Sequence, residues 1–218
     1  MGQGLYTKVV QIVATTLQID VGDISCTATR TDKVPNTSPT AASSGSDLNG
    51  MAAKQAAETL KHRLSEFAAK HFAVDPSAVQ FASGHIHIGG RTLTFAELAS
   101  LAYLNRVSLS AVGYYRTPKI HYDRSLARGR PFYYFAYGAA VSEVIIDTLT
   151  GEYKVHRVDI CHDVGESLNP ALDLGQIEGG FIQGMGWVTN EELVWDDEGR
   201  LLTDCLLYTS DAADDVAS

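Results

Sequence analysis

A short turn, Leu149-Thr150-Gly151, joins two long strand-like runs, Pro131–Asp147 and Tyr153–Cys161, and constrains the chain more than any other feature. A turn this tight returns the backbone antiparallel to itself. Parallel neighbours would need a crossover of a dozen or more residues, usually a helix. The turn suggests a hairpin, and the chain lacks the alternating β-α pattern of a doubly wound sheet. The fold class expected is α+β, long antiparallel strands with packed helices.

Helical spacing is clearest in two places. Leu5, Val9, Ile12, Val13 and Thr16 share one face of a first helix. This helix starts almost at Met1, with little of the slack usual at a free end, and the expectation is a chain cut from a longer one. A longer helix runs from Ser46 to Phe72, apolar late (Leu60, Leu64, Phe67, Phe72) but rich in small residues early (Gly50, Ala52, Ala53, Ala56). Small residues let a ligand or another backbone approach closely. Between the two helices, Asp20–Asp23 reads as a turn and Ile24–Thr29 as a short strand. Pro35 and Pro39 then bracket an irregular loop.

Residues 76–93 form a small β excursion, with Val79–Phe81 and His85–Ile88 around a Ser83-Gly84 turn. Thr94-Phe95-Ala96-Glu97 has the pattern of a capping box opening a helix to about Leu104. A strand is expected near Leu109–Tyr115. Asn169-Pro170 suits the start of a glycine-laden helix towards Trp187. From Asp204 the chain loses periodicity and holds four acids and no base. Residues 204–218 are read as a non-native or disordered tail.

Charge and cysteines narrow the partners. A net charge of −9 argues against nucleic acid, whose phosphates require clustered Lys and Arg. No run of 18 apolar residues exists to span a membrane. Three scattered cysteines without a C-x-x-C pair suggest reduced thiols in a cytoplasmic protein, and they are too few for an iron–sulfur cluster held by this chain alone.

Several segments hold candidate chemistry. Ala41-Ala42-Ser43-Ser44-Gly45-Ser46-Asp47 places small hydroxyl residues and a glycine directly before the long helix. The unpaired N–H groups and dipole of a first helical turn attract anions; an ordinary N-cap explains the same residues. The segment lacks the lysine spacing of a P-loop. Gln3, between Gly2 and Gly4, offers an amide beside exposed backbone, or lies in a plain loop. Gln176 sits in a glycine-dense segment, Gly175 to Gly180, that close helix packing explains equally well. His85 and His87 have metal-ligand spacing but read as the exposed face of a strand. His162-Asp163 lacks the nucleophile elbow of a hydrolase. Arg116 is either an anion contact or an arginine packed on aromatics.

In order, MGQGLYTKVVQIVA, VPNTSPTAASSGSDLNG, GYYRTPKIHYD, PFYYFAYGAAVSEVIIDTLTGEY and HDVGESLNPALDLGQIEGGFIQGMGW resemble the molybdopterin-binding subunit of bacterial xanthine dehydrogenases, of the molybdenum hydroxylase family. The resemblance covers Met1 to about Thr203 and implies one fragment of a molybdopterin-binding domain over 1–203. It implies a molybdenum-pyranopterin cofactor, as molybdopterin or its dinucleotide, with no protein side chain bound directly to the metal. Gln3 and Gln176 would bond the pterin. Ser43, Ser44, Gly45 and Ser46 would hold its phosphate or nucleotide tail. Ala42 would lie beside molybdenum and Ala41 at the substrate edge, with Arg116 and the Asp163 segment as structural supports.

The implied reaction is purine hydroxylation of hypoxanthine or xanthine, with oxygen from water and electrons leaving through iron–sulfur clusters and FAD to NAD. Those centres would sit on a partner domain or subunit, in a heterotetramer. The family's glutamate base lies in a Gly-Glu-Pro-Pro motif that this sequence lacks, so no catalytic residue is assigned to it and the chain alone is expected to be inactive. An aldehyde or other N-heterocycle oxidase and a non-catalytic cofactor-binding or interaction module are the alternatives.

Overall fold

The computed structural model describes residues 3–27, 29–30, 32, 40 and 43–203. The Pro35–Pro39 loop, Ala41, Ala42 and the 204–218 tail lie outside them. The architecture is α+β, as expected, and the chain divides into two compact units, Met1–Asn169 and Pro170–Ser218.

In the first unit, α1 (Leu5–Leu17) buries Leu5, Ala14 and Leu17. It stops where Gln18 turns left-handed and its N–H returns to the Ala14 carbonyl. Asp20 then caps a 3-10 turn, Val21–Asp23, by accepting the Gly22 N–H at 2.7 Å. Residues 24–27 are in no strand, contrary to expectation. Their alternation meets no partner strand among the described residues, and without ladder bonds an alternating run stays irregular.

The 28-residue α2 (Gly45–Phe72) is the backbone of the unit. A Cβ on Gly45 would meet Leu5 at 2.9 Å, one on Gly50 would meet Ile12 at 2.6 Å, and Lys61 donates to the Thr16 carbonyl at 2.9 Å. The numbers rise together, so α1 and α2 run parallel and begin at the same end. Farther along, α2 joins a meander of β1 (Val79–Ala82), β2 (His85–Ile88) and β3 (Arg91–Thr94), all antiparallel. The third strand was not expected; Gly89-Gly90 reverses the chain just before it, both glycines at positive φ. Next comes α3 (Phe95–Leu104), opened by a complete capping box between Thr94 and Glu97. Leu64 and Ala68 of α2, Ile86 and Ile88 of β2, and Leu98 and Ala102 of α3 form the core. On β2 the histidines face outward, His85 bonded to the Ser83 carbonyl and His87 to the Thr92 hydroxyl, both at 3.0 Å.

Residues 107–116 are not a strand either. From 110 to 117 the exposure alternates, but the covered side lies on α2. Arg63 donates to the carbonyls of Ser108 and Ser110 at 2.6 and 3.0 Å, and Tyr114 N–H to Gln55 Oε1 at 2.9 Å. Side chains of α2 thus take the bonds a neighbouring strand would have made. Gly113 rests against the Ala52 carbonyl with no space for a Cβ. A small hairpin follows, β4 (His121–Asp123) with β5 (Arg128–Arg130), absent from the sequence expectation. The long hairpin pairs β6 (Gly138–Ile146) with β7 (Tyr153–His162), from Gly138 opposite His162 to Ile146 opposite Tyr153. It is shorter at its start than expected, since 131–137 carry no ladder. In the turn, Asp147 accepts the N–H groups of Leu149 and Thr150 at 2.8 and 3.3 Å, and Gly151 takes positive φ.

The second unit contains α4 (Pro170–Thr189), starting at the proline as the Asn169-Pro170 pair suggests, and a bridge between Trp195 and Leu201. No helix among the described residues is long and apolar enough to cross a membrane.

Candidate functional site

Two helix beginnings meet at one end of the first unit. The α1 ladder opens with Lys8 N–H to the Gly4 carbonyl at 3.2 Å, and the α2 ladder with Leu48 N–H to the Ser44 carbonyl at 2.9 Å. The N–H groups ahead of these, on Leu5 to Thr7 and Gly45 to Asp47, have no partner within their own helices. Neither Gly4 nor Ser44 supplies a side-chain cap. Ser44 holds the N-cap position without capping through its side chain, and the two positive dipole ends stand together.

Tight packing makes this convergence possible. Gly45 is buried, and a Cβ there would lie 2.9 Å from Leu5 Cδ2 and 3.0 Å from Thr40 Cγ2. Only glycine lets the first turn of α2 come this close to the start of α1. Just before it, Ser43 turns the backbone left-handed, with φ of 55°. The Gln3 turn, half-buried, leads into α1 at the same end. Thus Gln3 and Ser43 to Ser46, far apart in sequence, come together.

One acid sits in this setting. Asp47, in the first turn of α2, accepts a hydrogen bond from the Tyr134 hydroxyl at 3.3 Å, and its carboxylate is near enough to Tyr115 to act on that phenol. Both phenols are pushed above the ordinary tyrosine value, first by partial desolvation and then by the Asp47 carboxylate. Sequence reasoning passed over this cluster. The only hint was the density of tyrosines in 113–116 and 131–137.

Other expected positions are less gathered. Gln176 lies exposed on α4 in the second unit, beside Gly175, Gly179 and Gly180, where an added Cβ would meet nothing within 4 Å. Arg116, expected as a support, is exposed instead of packed. It follows Tyr115 in an extended run whose alternate residues face away from α2. Asp163 does act structurally: its carboxylate accepts the Gly165 N–H and its own N–H donates to the Tyr137 carbonyl, each at 2.8 Å. Ala41 and Ala42 are outside the described residues.

Residues 1–215 match the family described as the molybdopterin cofactor-binding domain. The chain belongs to this family. Among sequence relatives, it is 47% identical over 200 residues to a xanthine dehydrogenase of Oryza sativa subsp. japonica, covering 92% of this chain and 13% of that protein. It is likewise 47% identical over 203 residues to the xanthine dehydrogenase/oxidase of Felis catus, covering 93% of this chain and 14% of that protein. The chain thus spans about one-seventh of these relatives. Among solved structures, the Cu,Mo-CO dehydrogenase superposes with a TM-score of 0.76 at 27% identity, over 92% of this chain and 25% of that one. Quinoline 2-oxidoreductase of Pseudomonas putida 86 gives 0.74 at 24% identity, over 94% and 26%, a likeness of fold. Membership in this family implies a molybdenum-pterin cofactor.

Proposed function

We propose that this chain supplies the cofactor cradle of a molybdenum hydroxylase that oxidises hypoxanthine and xanthine. The observation carrying this reading is the parallel docking of α1 on α2, which sets Gln3 and Ser43–Ser46 at one anion-attracting end. There, first-turn N–H groups and the hydroxyls of Ser43, Ser44 and Ser46 bind the phosphate or nucleotide tail, while Gly45 gives the backbone close approach. Gln3 and Gln176 use their amides to orient the pterin. Ala42 lies beside the molybdenum and Ala41 at the substrate edge, their small side chains leaving the purine room.

When bound, the group supplies the redox metal and the activated oxygen for hydroxylation. This chain binds and orients it; the base that accepts a proton is assigned to residues outside the chain. Iron–sulfur and FAD centres that carry electrons away are assigned to a partner domain or subunit, in a cytoplasmic heterotetramer. The purine assignment rests on the names of sequence relatives, xanthine dehydrogenases and a xanthine dehydrogenase/oxidase among them.

The test is to purify the holoenzyme that carries this chain, determine its molybdenum and pterin, and assay xanthine, hypoxanthine, an aldehyde and quinoline in 18O-labelled water. Molybdenum and pterin, with 18O entering the purine product, are expected. Labelling of the aldehyde or quinoline alone would move the substrate class, and absence of molybdenum and pterin would overturn the reading.

A further inference from the structure

We infer that Asp47, bonded by the Tyr134 hydroxyl and faced by that of Tyr115, is an acid of the cradle whose carboxylate is satisfied by neutral phenols, so that no cation competes with a phosphate bound beside it. This inference rests on the cofactor reading above.

The starting point is a conflict. Asp47 follows Ser46 directly, in the first turn of α2. An acid there favours the helix dipole, but it repels any anion drawn to the same N–H groups. A lysine or arginine paired with Asp47 would relieve the repulsion, yet that cation would also compete for the phosphate. Two neutral phenols satisfy the carboxylate without adding charge. Tyr134 donates to Asp47 Oδ2 at 3.3 Å across 87 residues of sequence, and the Tyr115 phenol faces the same carboxylate. No ion pair to Asp47 occurs among the described residues. A phenol is an ordinary protonated donor at neutral pH, and the upward push on both keeps them so.

The cluster also anchors two segments. Gly113 lies on the Ala52 carbonyl, Tyr114 N–H reaches Gln55, and Tyr115 reaches Asp47, so this run follows α2 back to its first turn. Tyr134 brings in the 131–137 segment, its ring edge-on to Tyr133 with centroids 6.2 Å apart. Asp47 is where both segments are tied to the start of α2.

A carboxylate satisfied by neutral donors predicts a ranking that simple bracing does not. In the holoenzyme, Y115F/Y134F leaves a lone carboxylate beside the cradle, and molybdenum should be lost roughly tenfold faster, since each lost bond to a charged acceptor is a large effect. D47N removes the charge and should lose molybdenum at near the parent rate. Combining D47N with Y115F/Y134F should restore much of the retention lost in the double variant. The gap in Tm between holo and cofactor-stripped protein should follow the same order, whereas a bracing role would lower both Tm values together. A triple variant as poor as the double, or a double variant with parental retention, would overturn the inference. G45E serves as the separate check: if it leaves molybdenum in place, the cofactor reading itself falls. If G45E strips the metal while Y115F/Y134F does not, only the role of Asp47 falls.

Discussion

The two halves of α2 meet their neighbours in opposite ways. In the first half, Gly45, Gly50 and Ala52 bring α1 and the 107–116 run into near backbone contact. In the second, Leu64 and Ala68 bury large side chains with Ile86, Ile88, Leu98 and Ala102. The first arrangement buries little apolar area but brings polar groups together; the second contributes most of the hydrophobic stabilisation and holds no functional group. One helix therefore carries the site at its start and its support at its end.

This contrast can be broken from either side. Leu98→Ala, at a site with no solvent exposure, should cost about 2–5 kcal/mol in urea unfolding while leaving cofactor content per folded molecule unchanged. Loss of cofactor without loss of stability would reverse the division of labour. Gly113→Ala drives a Cβ into the Ala52 carbonyl, a backbone group that cannot swing aside, and should cost roughly 1–3 kcal/mol. Gly50→Ala meets only the end of the Ile12 side chain, so the gain of about 1 kcal/mol in helix propensity offsets most of the clash. Equal losses at the two glycines would show that backbone proximity does not govern the first half.

At the capping box, Thr94→Ala should cost about 1 kcal/mol. The Thr94 N–H and hydroxyl hold Glu97 below its ordinary value. With a depressed folded pKa, the contribution of Glu97 is complete above the ordinary glutamate range and is lost as pH falls through the lowered value. Urea midpoints measured from neutral pH downward should therefore fall less steeply in T94A. On the β7 surface, Arg157→Ala removes an ion pair to Asp159 between largely exposed side chains and should change stability by no more than about 0.5 kcal/mol.

What could be read from the sequence follows the range of the forces involved. The β6–β7 hairpin and the Thr94 cap are local patterns, and both are present. Alternation over Leu109–Tyr115 reports a covered face truly, but not what covers it; α2 does, through Arg63 and Gln55, where a strand was expected. The three-residue strands β4 and β5 are too short to leave a period. At the site, the serines before α2 were visible as a cap or an anion site, and Ser44 takes the N-cap position without a side-chain bond to the helix. The link from Asp47 to Tyr134 spans 87 residues and has no local signature.

The most direct measurement is the molybdenum and pterin content of the holoenzyme carrying Gly45→Glu. A glutamate there pushes aside the ends of the Leu5 and Thr40 side chains, and it adds negative charge where the phosphate is proposed to bind. The account predicts protein that folds but retains little molybdenum or pterin. Full retention of both would contradict it.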